Sequence, residues 1–311
     1  MIWHMWRWLI ASLGVLGVAL ALLGLSACER GGISSGKPSV MVTIFAYYDA
    51  ARAIAGPDAE VNILLPPGTS PHDFTPSPKD KIIINRANLI VKNGLGLDDW
   101  VIKLASDNTS AMVLSIGDGL EAIETHEEVL PGEAPNHEEP MGGRNPHVWL
   151  NPMNQIAAAD MIREALDKLD PAHRSGYDER AAKYEGEIHR LDEEYKDATA
   201  TFRYKEFIGF HSAYDYLARR YGLKQAAALQ EIGEGGMSPE RVRQVVELIK
   251  SRHIPVVFSE TAFDAKQAQT VVKQTGVKLG TLQPLETYDN LNDTYVELMR
   301  ENLAQLKKAM Q

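Results

Sequence analysis

A long charged segment, residues 172–201, constrains the fold of this chain more than any other feature. It is rich in helix-favouring residues and contains no proline. A helix over this segment would be about 45 Å long, which is too long for a crossover helix in a small sheet. The segment therefore predicts a spine that joins two lobes, although its charge is also compatible with an independent solvated helix.

On both sides of this segment, short apolar runs alternate with helical patterns. That alternation predicts an α/β fold with mostly parallel strands. The strand candidates are 40–46, 61–66, 87–94, 111–119, 206–210, 223–230, 254–260 and 277–286. We expect two lobes, each with a mostly parallel sheet flanked by helices, joined by one long rigid linker helix. The expected limits are 40–170 for the N-terminal lobe, 171–202 for the linker helix and 203–311 for the C-terminal lobe.

Residues 1–28 are typical of a targeting segment. Arg7 provides a positive charge, 9–25 is an uncharged apolar run, and Leu25-Ser26-Ala27-Cys28 looks like a lipobox. This pattern predicts a lipoprotein signal peptide, with Cys28 retained as the lipidated first residue. The alternative is an N-terminal membrane anchor, since the run is near the lower length limit for a span. Residues 29–39 are rich in Gly and Ser and indicate a flexible tether.

Composition excludes two further features. Cys28 is the only cysteine, so an intramolecular disulfide is impossible. The formal net charge is −10 and no basic stripe is present, which argues against nucleic acid as a partner.

Three histidines lie in loops rather than in regular elements. His147 lies in NPHVWLNP (145–152), where prolines favour an extended turn. His72 lies in PPGTSPHDFTPSP (66–78), and His211 follows the apolar run EFIGF. A single histidine of this kind is more often structural than a ligand.

Their positions relative to the predicted strands favour a shared site. His72 follows the second strand of the first lobe, and His211 follows the first strand of the second lobe. Because open α/β sheets bind ligands beyond the carboxyl ends of their strands, these histidines can meet in the cleft between the lobes. His147, just before the spine, can join them. Three imidazoles and a carboxylate would form a tetrahedral site suited to zinc.

The order and spacing of these motifs resemble a known family. The lipobox, PPGTSPHDFTPSP, NPHVWLNP, GFHSAYDY (209–216) and SPERV (238–242) occur together over essentially the whole mature chain. They are similar to the metal-receptor group of ABC-transporter substrate-binding proteins, in particular its zinc-binding branch, which includes laminin-binding streptococcal lipoproteins. The resemblance implies two α/β lobes, one long connecting helix, a single metal in the interlobe cleft, and little hinge motion.

The resemblance also implies a ligand set. His72, His147 and His211 match the three histidine positions of the zinc branch. The fourth ligand is a carboxylate of the last loop, for which LQPLE (282–286) suggests Glu286 and the manganese branch would suggest Asp289. Glu260 matches a position that the family keeps acidic, and we expect it to support the site without binding the metal.

The third ligand decides which metal is expected. An imidazole at His211 favours Zn²⁺, whereas Mn²⁺ prefers more oxygen ligands. Copper and nickel stay open on affinity alone. Because imidazoles bind metal only when neutral, affinity should fall as the pH drops through about 6.5.

The acidic segment 121–139 contains His126 and His137 and has two interpretations. Relatives carry a histidine-rich loop at this place that is thought to capture metal, and a solvated acidic loop is equally compatible with the sequence. The other histidines, His173, His189 and His253, are expected at the surface.

The predicted function is a monomeric, exported, lipid-anchored receptor that captures Zn²⁺ and delivers it to the membrane permease of an ABC importer. A manganese or iron receptor of the same family and a surface adhesin are the alternatives. A mononuclear zinc hydrolase is disfavoured, because it needs an open coordination position and no HExxH motif is present. We therefore expect no enzymatic activity.

Overall fold

The structure is a computed structural model that describes residues 36–124, 130, 143–230, 238–261 and 265–311. The targeting segment with Cys28, most of the tether, and both His126 and His137 lie outside these residues. All the elements below belong to one unit, Pro38–Gln311. In the part of the chain that is described, no helix combines the length and apolar character that a membrane span requires.

The N-terminal lobe is built on a parallel four-stranded sheet. Its strands are β1 (Ser39–Val42), β2 (Glu60–Ile63), β3 (Leu89–Lys92) and β4 (Met112–Ser115), in the order β2-β1-β3-β4. Its helices are α1 (Phe45–Ala55), α2 (Pro78–Ile84), α3 (Trp100–Leu104) and α4 (Pro152–Leu169). Residues 40–42 and 89–91 are buried, as expected of central strands that are covered by helices on both faces.

The C-terminal lobe repeats this topology. Its strands are β5 (Glu206–Gly209), β6 (Lys224–Ala228), β7 (Val256–Ser259) and β8 (Lys278–Thr281), in the order β6-β5-β7-β8 and all parallel. After α5 (Arg174–Ala200) between the lobes, its helices are α6 (Asp215–Arg220), α7 (Pro239–Arg252), α8 (Lys266–Thr275) and α9 (Tyr295–Met310). The predicted fold class is confirmed, and the equivalent strand order is a repeat that the sequence does not reveal.

Helix α5 has 27 residues and follows a single 3₁₀ turn at Pro171–His173. Despite its charge, it buries one face, formed by residues spaced alternately four and three apart: Tyr177, Ala181, Tyr184, Ile188, Leu191, Tyr195 and Ala198. That spacing produces a continuous apolar stripe on one side of an α-helix. The helix is therefore packed along its length and is not an independent solvated helix.

One continuous apolar core connects the lobes. It contains the inner faces of both sheets, α1, α4 and the stripe of α5, and it extends to α6 and α9. Two smaller clusters cover the outer faces of the sheets, one under α2 and α3 and the other under α7 and α8. The inner faces of both sheets therefore pack against the same apolar core. This common core fixes the loops at the strand ends relative to one another.

Candidate metal centre

Four side chains from four loops meet between the lobes. They are His72, His147, His211 and Glu286, whose ligand atoms all lie within 4.8 Å of one another. His147 is completely buried, Glu286 and His211 are nearly so, and the side chain of His72 is 12% exposed. The structure thus brings together the four residues expected from the sequence, and His72 lies at the solvent-facing side.

Four of the six ligand-atom separations in this cluster are close to the edge of a tetrahedron, and a fifth is shorter. Nε2 of His147 is 3.3 Å from Nε2 of His72 and 3.2 Å from Nε2 of His211. Oε1 of Glu286 lies 3.3, 2.7 and 3.4 Å from the Nε2 atoms of His72, His147 and His211, respectively. Ligands about 2.0–2.1 Å from a tetrahedral Zn²⁺ are separated by about 3.3 Å. One ion could therefore contact all four atoms once the side chains adjust around it.

Three of the four loops are fixed by backbone features close to the candidate ligand. The loop after β2 is anchored near His72, where the Gly68 N–H donates to the Tyr288 carbonyl at 3.3 Å. His147 directly precedes the 3₁₀ turn Val148–Leu150, and the Asn151 side chain then caps α4. Glu286 follows Leu285, which adopts a φ of 57°. This left-handed conformation lies at a bend in the chain after β8.

Partners of the outer ring nitrogens orient two imidazoles. Asn145 Oδ1 accepts from the His147 backbone N–H at 3.0 Å and lies 2.8 Å from His147 Nδ1. Because Asn145 Nδ2 donates to other groups, its oxygen faces the ring, and Nδ1 must donate the proton. The Glu260 carboxylate contacts His211 Nδ1 at 2.8 Å in the same way. Both rings therefore turn Nε2 toward the centre, as metal-binding histidines usually do.

Burial and charge have opposite effects on the two inner histidines. Burial lowers the pKa of His147 to about 4, although the Glu286 carboxylate opposes this shift. Burial also lowers the pKa of His211, but the carboxylates of Glu260 and Glu286 outweigh it and raise that pKa to about 10. His147 is thus neutral at physiological pH, whereas the metal-free site retains a proton at His211.

The two carboxylates also differ. The pKa of Glu260 is raised by burial, which His211 only partly opposes. Burial also raises the pKa of Glu286, but the three surrounding histidines outweigh it and hold this pKa well below its usual range. Glu286 is therefore an anion at the centre of the cluster, as a metal ligand must be.

Other candidates from the sequence lie elsewhere. Asp289 is exposed and is not a member of the cluster. His173, His189 and His253 are exposed, as expected. Asn145 lies at the site, although the sequence pattern marks it only as part of a turn. The signal that could have found it is an Asx turn, in which an Asn side chain bonds the backbone two residues later.

The fold and this cluster define a two-lobed α/β binding protein with a candidate metal centre between its lobes. A family model described as "Zinc-uptake complex component A periplasmic" matches residues 40–309, and the chain belongs to this family.

Relatives and solved structures agree with this assignment. The zinc-binding lipoprotein AdcA of Streptococcus pneumoniae is 30% identical over 95% of this chain, which spans 60% of that protein. The iron-binding protein YfeA of Yersinia pestis is 31% identical over 86% of this chain and 87% of its own length. A structure of the laminin-binding protein of Streptococcus agalactiae, described as having adhesin and metal-transporting activity, covers 88% of this chain and all of that one, with 28% identity and a TM-score of 0.77.

Proposed function

We propose that this protein is the solute-binding component of an ABC-type metal importer, and that its cargo is Zn²⁺. His72, His147, His211 and Glu286 would bind the ion between the lobes. The observation that carries this proposal is the close approach of three imidazoles and one carboxylate: their ligand atoms all lie within 4.8 Å of one another, and five of the six separations are 2.7–3.4 Å. Membership of a zinc-uptake family and a zinc-binding relative support it.

The choice of zinc depends on the donor atoms. Three nitrogens and one oxygen suit Zn²⁺, whereas Mn²⁺ prefers sites richer in oxygen. The iron-binding relative makes iron an alternative cargo, and manganese stays the alternative that the sequence left open. Geometry favours Glu286 over Asp289 as the fourth ligand, because only Glu286 lies in the cluster.

A transport role suits this centre better than hydrolysis. A catalytic zinc site keeps one coordination position for water or substrate, and a general base lies nearby. Here four protein ligands would fill all the coordination positions of a tetrahedral ion, and Glu260 is hydrogen-bonded to His211. Such a closed site is suited to holding a metal ion, so we propose that the protein is a receptor and not an enzyme.

We further propose that the protein is exported, anchored through lipidated Cys28 and tethered by residues 29–39. It would act as a monomer and deliver its metal to a membrane permease. The lobe limits given above, 40–170 and 203–311 with the linker helix 171–202, belong to the same proposal. The lipoprotein relative and the periplasmic family description support the location.

The test is the metal content of residues 29–311, purified without a histidine tag and measured by elemental analysis. We expect one zinc per chain in the wild type and less than one tenth of that in His72→Ala and His211→Ala. His189→Ala is the matched control, because it removes an exposed histidine of α5. Asp289→Asn tests the alternative fourth ligand and should retain zinc. A wild type that neither contains zinc nor gains thermal stability from it would refute the proposal.

A further inference from the structure

The four candidate ligands are unequally attached to the two lobes. Glu286 follows β8 of the C-terminal lobe, but its loop is bound to the N-terminal lobe. The backbone N–H groups of Phe45 and Ala46, in the first turn of α1, donate to the carbonyls of Glu286 at 3.0 Å and Leu285 at 3.2 Å. Trp149 Nε1 donates to the Pro284 carbonyl at 2.7 Å. His72, His147 and Glu286 are therefore all attached to the N-terminal lobe.

His211 is attached to the C-terminal lobe. It follows β5, and its ring contacts Glu260, which follows β7 of the same sheet. Its backbone carbonyl accepts from Gln225 Nε2 at 2.7 Å, and Gln225 belongs to β6. The fourth corner of the site therefore depends on how the C-terminal sheet is placed relative to the other three ligands.

The side chain of Asn145 contacts both His147 and the loop that carries His211. Asn145 Oδ1 accepts from the backbone N–H and from Nδ1 of His147 at 3.0 and 2.8 Å. Asn145 Nδ2 donates to the Ser212 carbonyl at 3.2 Å and to Asp215 Oδ2 at 3.0 Å. Ser212 directly follows His211. The two ends of a single amide thus bind one ligand and the residue next to another.

Asn145 itself is well fixed. It is fully buried, its backbone N–H donates to the Ile123 carbonyl at 2.8 Å, and its carbonyl accepts from the Tyr216 hydroxyl at 2.8 Å. Tyr216 in turn accepts from the Ile123 N–H at 2.9 Å. Bonded on both sides and shielded from solvent, the Asn145 amide cannot rotate away without leaving buried polar groups unpaired.

We propose that Asn145 is a positioning residue that couples His147 to His211 and so sets the geometry of the fourth ligand. This inference rests on the proposed metal-binding function. The side-chain oxygen of Asn145 fixes the His147 ring, and its NH₂ group holds the loop of His211 at hydrogen-bonding distance. Without the NH₂ contacts, the His211 loop would be less restrained relative to the other three candidate ligands, and the metal would dissociate faster.

Two substitutions separate these roles. Asn145→Ala removes both. Asn145→Asp has nearly the same shape and can still accept from His147, but it presents a second oxygen to the Ser212 carbonyl and the Asp215 carboxylate. The matched controls are Asn151→Ala and Asn151→Asp, in the same NPHVWLNP segment. Asn151 caps α4 through the Met153 N–H and does not contact the ligands. Asp is an equally good cap, so only Asn151→Ala should lower the thermal midpoint.

The measurements are the zinc dissociation rate, followed by transfer to a chelator, and the visible absorption of bound Co²⁺. Loss of a partner behind a ligand typically weakens metal binding about 10- to 100-fold. We expect both Asn145 variants to release zinc at least about tenfold faster than wild type. Their Co²⁺ bands should lose the intensity of a four-coordinate site. Both Asn151 variants should match wild type in rate and spectrum.

The outcomes discriminate between the proposals. Asn145→Asp that matches wild type in rate and spectrum would overturn the coupling, because fixing the His147 ring would then suffice. If Asn145→Ala does not fold, Asn145→Asp alone decides. A lower thermal midpoint of the metal-free Asn145 variants, with unchanged Co²⁺ bands and rates, would also overturn the inference. A wild type that binds neither Zn²⁺ nor Co²⁺ would refute the proposed function and the coupling together.

Discussion

Metal binding is expected to displace one proton from the His211–Glu260 pair. Burial lowers the pKa of His211, but the two nearby carboxylates outweigh this effect and raise it to about 10. Without metal, the His211 ring therefore carries a second proton, on Nε2, at neutral pH. A metal that binds Nε2 must displace this proton. Apparent affinity should then rise about tenfold per pH unit up to about pH 10, so proton competition costs roughly two to three orders of magnitude at pH 7.5. The sequence alone placed this dependence near pH 6.5.

The direction of the effect on folding follows from the same pKa. Because the pKa of His211 lies above its ordinary value of about 6.5, the charged ring stabilises the metal-free fold fully below that pH. This contribution is lost as the pH rises through about 10. The metal-free protein should therefore lose stability between pH 7 and 10, whereas the stabilisation by zinc should increase over the same range.

Calorimetry at pH 7.5 tests this expectation. Zinc titrations in two weakly chelating buffers with different ionisation enthalpies give the number of protons released, which should be about one. Glu260→Gln removes the main contribution that raises the pKa, so its proton release should be well below one. Equal binding enthalpies for the wild type in both buffers would refute the reasoning, since no proton would then leave with metal binding.

Three further predictions follow from the site and fold. Zinc at 100 times its Kd should stabilise the protein by about 2.7 kcal/mol and raise the thermal midpoint by about 5–10 °C, and no shift in calorimetry would contradict this. His211→Asp should lower the preference for Zn²⁺ over Mn²⁺, because oxygen replaces nitrogen; competition titrations with an unchanged ratio would count against that view. The radius of gyration from small-angle scattering should change little on zinc binding, and a large increase in the metal-free state would argue against fixed lobes.

Local pattern was sufficient to predict the fold class and most of the elements, but not how the strands are ordered. Alternating apolar runs and helical segments located the strands, and the absence of proline in 172–201 predicted a helix that the structure places at Arg174–Ala200. The role of this helix was harder to see, because its apolar stripe is dispersed among charged residues. The strand order and the matching topology of the lobes depend on contacts between distant segments, which no local pattern encodes.

The site shows the same division. Proline-rich loops marked His72 and His147, but the sequence left Glu286 and Asp289 as alternatives. The selection depends on long-range contacts, in which the first turn of α1 bonds the carbonyls of residues 285 and 286 and Leu285 adopts a left-handed conformation. These contacts direct Glu286 inward and leave Asp289 exposed. Asn145 was not recognised for a related reason, because half of its bonds reach a segment about 70 residues away.

Side-chain contacts from α5 to both lobes limit how the site can open. Near its start, Arg180 Nε donates to the Ile54 carbonyl at 2.6 Å and Nη2 contacts Asp58 at 2.7 Å, both in the N-terminal lobe. Farther along, Asp192 accepts from Arg220 at 2.5 and 2.7 Å in the C-terminal lobe. Because a helix bends little without a break in its hydrogen bonds, a wide hinge motion would have to disrupt these contacts or the shared core. Metal exchange is therefore expected to depend on a small displacement of the His211 loop, which Asn145 restrains.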